Sequence, residues 1–168
     1  MSDSSNSETS RRDEEFLRRC FEVARRSMAH GNHPFGAILV DERGNVLIET
    51  ENGYMPAHDS TAHAERLLAT QACRTLDAET LRNATLYSSA EPCAMCAGAI
   101  YWAGIGRVVY GQTEKALKGQ TGAHEENPTL DLPCSIVFAA GQRPTEVVGP
   151  MLEDEAAALQ VDFWSARA

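Results

Sequence analysis

From Arg11 onward, Phe16, Leu17, Cys20, Phe21, Ala24 and Met28 recur at helical spacing with Arg and Glu on the opposite face. His30-Gly31-Asn32 ends that run, so the pattern predicts a first amphipathic helix. Phe35 to Val40 is a short apolar run, Glu42-Arg43-Gly44-Asn45 reads as a turn, and Val46-Leu47-Ile48 resumes the run, which together predict a hairpin. After a polar loop from Asn52 to Thr61, a second helix is expected over Ala62 to about Leu76, with Leu67, Leu68, Ala72 and Cys73 facing inward. Ala84–Ser89 reads as a third strand, Ala94–Ala103 as a helix opened by Pro92, and Arg107–Tyr110 as a fourth strand. Residues 111–134 are polar and Gly-rich. Ser135–Ala140 is expected to be a fifth strand and Glu153–Leu159 a last helix. Helices and strands in this alternation predict an α/β fold, a three-layer α/β/α sandwich around a five-stranded mixed sheet.

Composition sharpens this picture. Met1 to Ser10 is Ser, Asn, Asp and Glu with almost nothing to bury, so residues 1–10 are expected to be a disordered tail and 11–168 a single domain. The chain has 168 residues, 43% of them hydrophobic, and a net charge of −9. That acidity speaks against a broad phosphate-binding surface, so nucleic acid is not the expected partner. No run approaches the roughly 18 apolar residues of a membrane span, and the polar N-terminus shows no secretory signal. A cytoplasmic protein with reduced thiols is therefore expected, since its five cysteines are an odd number.

Two of those cysteines carry the sharpest chemical signal. His63-Ala64-Glu65 is followed by Pro92-Cys93-Ala94-Met95-Cys96. One imidazole and two thiolates suit Zn²⁺, which in catalytic sites keeps a fourth position open for water. His63 is expected in the first turn of the second helix, and Cys93 and Cys96 in the first turn of the next, so that two helix N-termini converge on one ion. Glu65, two residues past His63, is placed to take a proton from the bound water and pass it to a departing nitrogen. A lone C-x-x-C also fits half of a structural zinc site or a redox pair, but neither explains His-x-Glu upstream. Joined, H-x-E and P-C-x-x-C form the zinc deaminase signature. Cys20 and Cys73 read as inert core thiols, and His33, His58 and His124 as exposed loop histidines.

The residues from Phe16 to Tyr110 resemble the cytidine deaminase-like superfamily, in the branch holding guanine deaminases, cytosine deaminases and tRNA adenosine deaminases. The resemblance runs through Pro34-Phe35-Gly36-Ala37, Thr61-Ala62-His63-Ala64-Glu65, Leu86-Tyr87 and Glu91 to Ile100. It implies a cytidine deaminase-like α/β/α fold, one Zn²⁺ per chain on His63, Cys93 and Cys96, and Glu65 as the catalytic proton shuttle. The implied reaction replaces a ring amine by a carbonyl, with a hydroxide at the zinc as nucleophile and ammonia released.

Within that branch the guanine deaminases are the favoured likeness. Glu114 resembles their second acid for proton transfer. Phe35, Asn52, Ala64, Trp102, Phe163 and Trp164 are the implied substrate contacts, with the last two closing over the site of this or a partner subunit. A small amino-heterocycle and water are thus the expected substrates, and a homodimer the expected assembly. The alternatives are a tRNA adenosine deaminase, a deaminase of cytosine or another small heterocycle, and an inactive zinc scaffold serving as a binding module.

Overall fold

The computed structural model describes residues 2–121 and 124–167. Met1 and Ala168, at the ends of the expected tail and domain, and residues 122 and 123 of the polar segment lie outside the described residues. The sheet has five strands, β1 (Gly36–Val40), β2 (Val46–Glu51), β3 (Thr85–Ala90), β4 (Arg107–Gln112) and β5 (Glu146–Val148), in the order β2-β1-β3-β4-β5. β1 is antiparallel to both β2 and β3, whereas β3, β4 and β5 run parallel.

Seven helices accompany it among the described residues: α1 (Ser2–Ala29), α2 (Ala64–Thr75), α3 (Ala78–Asn83), α4 (Ala94–Ala103), α5 (Glu114–Thr121), α6 (Cys134–Ala139) and α7 (Glu153–Ser165). Period-two alternation in the central strands divides the core. Ala37, Leu39, Leu86 and Val108 join the cluster formed with α2, α4 and α6. Ile38, Val40, Tyr87 and Val109 join the cluster formed with α1 and α7. Buried on both faces, β1 reads as an unbroken apolar run, and the fold is the expected α/β/α sandwich. Gly36 lets α1 approach this strand, because a Cβ there would meet Ala24 N at 2.7 Å.

Several expectations are corrected. Ser135–Ala139 lies in helix α6, with Ala140 as its C-cap, and the fifth strand is Glu146–Val148. An isolated apolar hexamer satisfies either period, and the helix wins because Cys134 and Phe138, four apart, share one buried face. The polar stretch after β4 holds helix α5, with Glu114, Leu117 and Thr121 buried. α1 begins at Ser2, ahead of the amphipathic pattern, and residues 7–10 of it are exposed. A packed helix can propagate into polar residues that bury nothing, since nucleation is the costly step. Cys73 is exposed on α2, while Leu68 and Ala72 are buried. No described helix is long and apolar enough to cross a membrane.

Candidate active site

The parallel strands β3 and β4 end at Glu91-Pro92-Cys93 and Thr113-Glu114, so α4 and α5 start at the same edge of the sheet, the usual place for a ligand in an α/β sheet. α2 lies beside α4 and brings His63 and Glu65 to that edge. His63 and Cys93 are the extended cap residues of α2 and α4, one position earlier than expected, and Cys96 follows in the first turn of α4. Neither cap residue uses its side chain to cap its own helix, which leaves both free to point at a shared centre.

They do converge. His63 Nδ1 is 3.6 Å from both Cys93 Sγ and Cys96 Sγ, and the three ligand atoms lie within 4.8 Å of one another. Around a tetrahedral zinc, with Zn–S of about 2.3 Å and Zn–N of about 2.0–2.1 Å, such N···S separations are about 3.5–3.6 Å. The electrostatics agree. Hydrogen bonding from Cys96, and then from His63, outweighs burial and pulls the Cys93 thiol down to about 4, so a thiolate stands there at neutral pH. The bond to Cys93 and then burial push Cys96 the other way. A pair of thiols that cannot both ionise alone can do so around a cation. These residues fit zinc.

Glu65 is buried behind the triad. Ser88 Oγ donates to Glu65 Oε1 at 2.8 Å, and Cys96 Sγ lies 3.8 Å from Oε2. Burial holds the Glu65 carboxyl above its ordinary range. Glu114 shares the same small cavity, of about 30 Å³, with His63, Glu65, Cys93 and Phe35, room for about one water. Burial first, then the charges of Cys93, Glu65 and Glu91, raise Glu114 to about 8.

The remaining expected contacts divide. Phe35 lines the cavity. Asn52 is buried next to it through its N–H to Phe35 O at 3.1 Å, and its side-chain oxygen accepts from Tyr54 N at 3.0 Å. Ala64 is fully buried, with its carbonyl accepting from Thr50 Oγ1. Trp102 is 82% exposed on the outer side of α4 and belongs to the surface of this chain. Phe163 and Trp164 are buried one layer behind the cleft, where Trp164 packs 5.5 Å and Phe163 5.9 Å from His33. His33, expected to be exposed, is itself buried, stacked on Tyr54 at 4.8 Å and bonded to Glu126 at 2.9 Å.

Sequence reasoning assigned no role to Glu91. Its buried carboxylate accepts from Glu114 N at 3.0 Å and from Cys134 N at 2.9 Å, and so ties the first residues of α5 and α6 to the loop that bears Cys93. Its signal was an acid two residues before a metal cysteine. Outside the small cavity a cleft of about 590 Å³ opens, with Tyr54, Met95 and the segment Glu125–Leu130 on its walls. Glu114, Glu125 and Glu126 line it, and no lysine or arginine does among the described residues.

Residues 10–112 match the cytidine and deoxycytidylate deaminase zinc-binding region. A probable cytosine deaminase of Schizosaccharomyces pombe is 39% identical over 160 residues, 95% of this chain and 97% of its own length. A tRNA-specific adenosine deaminase of Haemophilus influenzae is 39% identical over 102 residues, 61% of this chain and 59% of its own. Among solved structures, a guanine deaminase of Nitrosomonas europaea superposes with a TM-score of 0.69 at 26% identity, covering 89% of this chain and 82% of that one.

Proposed function

The chain belongs to the cytidine and deoxycytidylate deaminase zinc-binding family, hydrolytic and zinc-dependent, and from that premise we propose that its substrate is a small uncharged nucleobase, guanine first. The cleft's charge carries this reading. Beyond the metal residues its acidic lining is Glu114, Glu125 and Glu126, with no lysine or arginine among the described residues. A phosphate chain entering there would meet acidic side chains and no lysine or arginine to neutralise it, whereas a neutral ring meets polar hydrogen-bonding groups.

In this reading His63, Cys93 and Cys96 hold the zinc, which supplies a Lewis acid and lowers the pKa of a water. Glu65 takes a proton from the attacking water. The water oxygen bonds to the ring carbon and the carbon–nitrogen bond breaks. Of the water's two protons, one ends on a ring nitrogen and one on the amine, which leaves as ammonia. Ser88 holds one oxygen of Glu65, so the carboxylate keeps its place while it gains and loses the proton. Glu114, raised by burial toward neutrality, is a second proton carrier at the same cavity.

Cytosine is the second reading. The likeness to the fission-yeast relative runs over 95% of this chain, which takes in the segment after β4 that forms the cleft's outer wall. The assembly we favour is a homodimer through α4, because a tryptophan 82% exposed and an Ile136 55% exposed on neighbouring helices are apolar surface without a cover in one chain. Ammonia release from guanine, cytosine, adenine, guanosine and a tRNA anticodon hairpin tests the substrate class. Turnover of the hairpin with none of the free bases would overturn it.

A further inference from the structure

The segment after α5 brings one side chain to the reacting cavity that neither the motifs nor the likeness assigns. Asn127 lines both the small cavity with His63, Glu65 and Glu114 and the outer cleft. Its Nδ2 is buried and has no hydrogen-bond partner, one of two such atoms among the described residues. The backbone around it is held. Asn127 N donates to His124 O at 3.0 Å, Thr129 Oγ1 lies 3.1 Å from Thr121 Oγ1, and Glu126 is bound to His33. Pro128 follows and restricts Asn127 to extended conformations. The segment is thus held on both sides of Asn127 while its side-chain donor has no partner in the chain.

A buried amide without an acceptor is unfavourable, and native proteins rarely keep one. Retained beside a reacting cavity, it fits an acceptor supplied from outside the chain. We propose that Asn127 Nδ2 donates to a carbonyl oxygen of the bound base, and that Asn127 therefore selects oxo-substituted amino-heterocycles over analogues without that acceptor. The inference rests on the free-base reading above. Loss of such a donor–acceptor pair discriminates strongly between otherwise similar substrates.

The test uses the zinc-loaded full chain and its Asn127→Leu and Asn127→Asp variants. Three readouts are taken: zinc content and melting temperature, kcat and KM for the oxo base that the panel identifies, and the same constants for its deoxo analogue (2-aminopurine beside guanine, 2-oxo-free 4-aminopyrimidine beside cytosine). With N127L, KM for the oxo base is expected to rise about tenfold or more while the deoxo analogue changes little, so the preference collapses. The melting temperature is expected to hold or rise, because the leucine removes an unpaired buried donor. N127D, which replaces the donor by an acceptor, is expected to lose the oxo base still further. An Asn127 that serves only to build the loop would give the reverse pattern, with a lowered melting temperature and an unchanged oxo-to-deoxo ratio, and that result overturns the proposal. A wild-type protein that neither turns over nor binds any free base overturns the free-base reading, and the role of Asn127 with it. Turnover with an unchanged N127L ratio overturns the role of Asn127 alone.

Discussion

Ser88, inside strand β3, donates a 2.8 Å hydrogen bond to the buried carboxylate of Glu65, at the start of α2. Strand and helix thereby fix one oxygen of Glu65 and leave the other near Cys96. Ser88→Ala is expected to reduce kcat about tenfold to a hundredfold, the range for a hydrogen bond to a charged group, with KM little changed. Glu65→Gln should abolish turnover and leave zinc bound. Steady-state kinetics with metal analysis on the same preparations decide it: turnover retained by zinc-loaded E65Q would show that another group carries the proton.

The metal-ligand cluster and the buried acid beside it were legible because their chemistry is compressed into short spacings, His63-x-Glu65 and Cys93-x-x-Cys96, each read from neighbours on one helical turn. The layers were legible as well, since the alternating burial of β1 and β3 and the helical periods of α1 and α2 are local patterns. What depends on distant contacts was not. The apolar hexamer 134–139 fits a strand as well as a helix until its packing side is known. His33 looks like a loop histidine until Tyr54, Trp164 and Glu126 close around it. Trp102 was drawn toward the pocket by likeness to relatives, but its position on α4 turns it outward. Asn127 carries no signal at all beyond preceding a proline.

Metal removal separates a catalytic duty of the centre from a structural one. If His63, Cys93 and Cys96 hold a zinc used in the reaction, a strong chelator is expected to abolish deamination and added Zn²⁺ to restore it. Cys93→Ala or Cys96→Ala should lose both metal and activity. The melting temperature of the chelated protein reports any structural share. Full activity at zero zinc content, measured by atomic spectroscopy, would defeat the assignment.

On the opposite face of the sheet, Asp13 of α1 accepts from Tyr87 Oη at 2.7 Å and from both terminal nitrogens of Arg107 at 2.8 Å. Asp13 is buried and Arg107 is mostly so. Burial, then the bond to Asp13, raises the Tyr87 hydroxyl well above its usual range, which keeps it a donor. Asp13→Ala strands a buried guanidinium and a phenol and is expected to cost about 3 kcal/mol, while Tyr87→Phe should cost about 1 kcal/mol. Urea titration of the two variants measures this. A D13A protein as stable as wild type would show that α1 is held by its apolar face alone.

Acid should loosen the wall that backs the cleft before it unfolds the core. Burial lowers His33 below the 6.5 of a free imidazole, and the Glu126 carboxylate pulling in the other direction only partly offsets it. Arg167 and His63 add to the lowering. The folded protein therefore binds this proton less readily than the unfolded chain does. The stability it contributes is complete above about pH 6.5 and declines as the pH falls below that value toward the lower folded pKa. Glu126, held below the usual carboxylate range chiefly by its bond to His33, adds a loss of the same sign at still lower pH. Because His33 stacks on Tyr54 and packs against Trp164, its protonation works on the junction between the 52–63 loop, the 124–130 segment and the end of α7. The expected result is a melting temperature that falls more steeply between pH 7 and 5 in the wild type than in His33→Gln, with limited proteolysis at low pH cutting first in the cleft-wall segment. Parallel melting curves for the two proteins across that range would show that the histidine's proton plays no part.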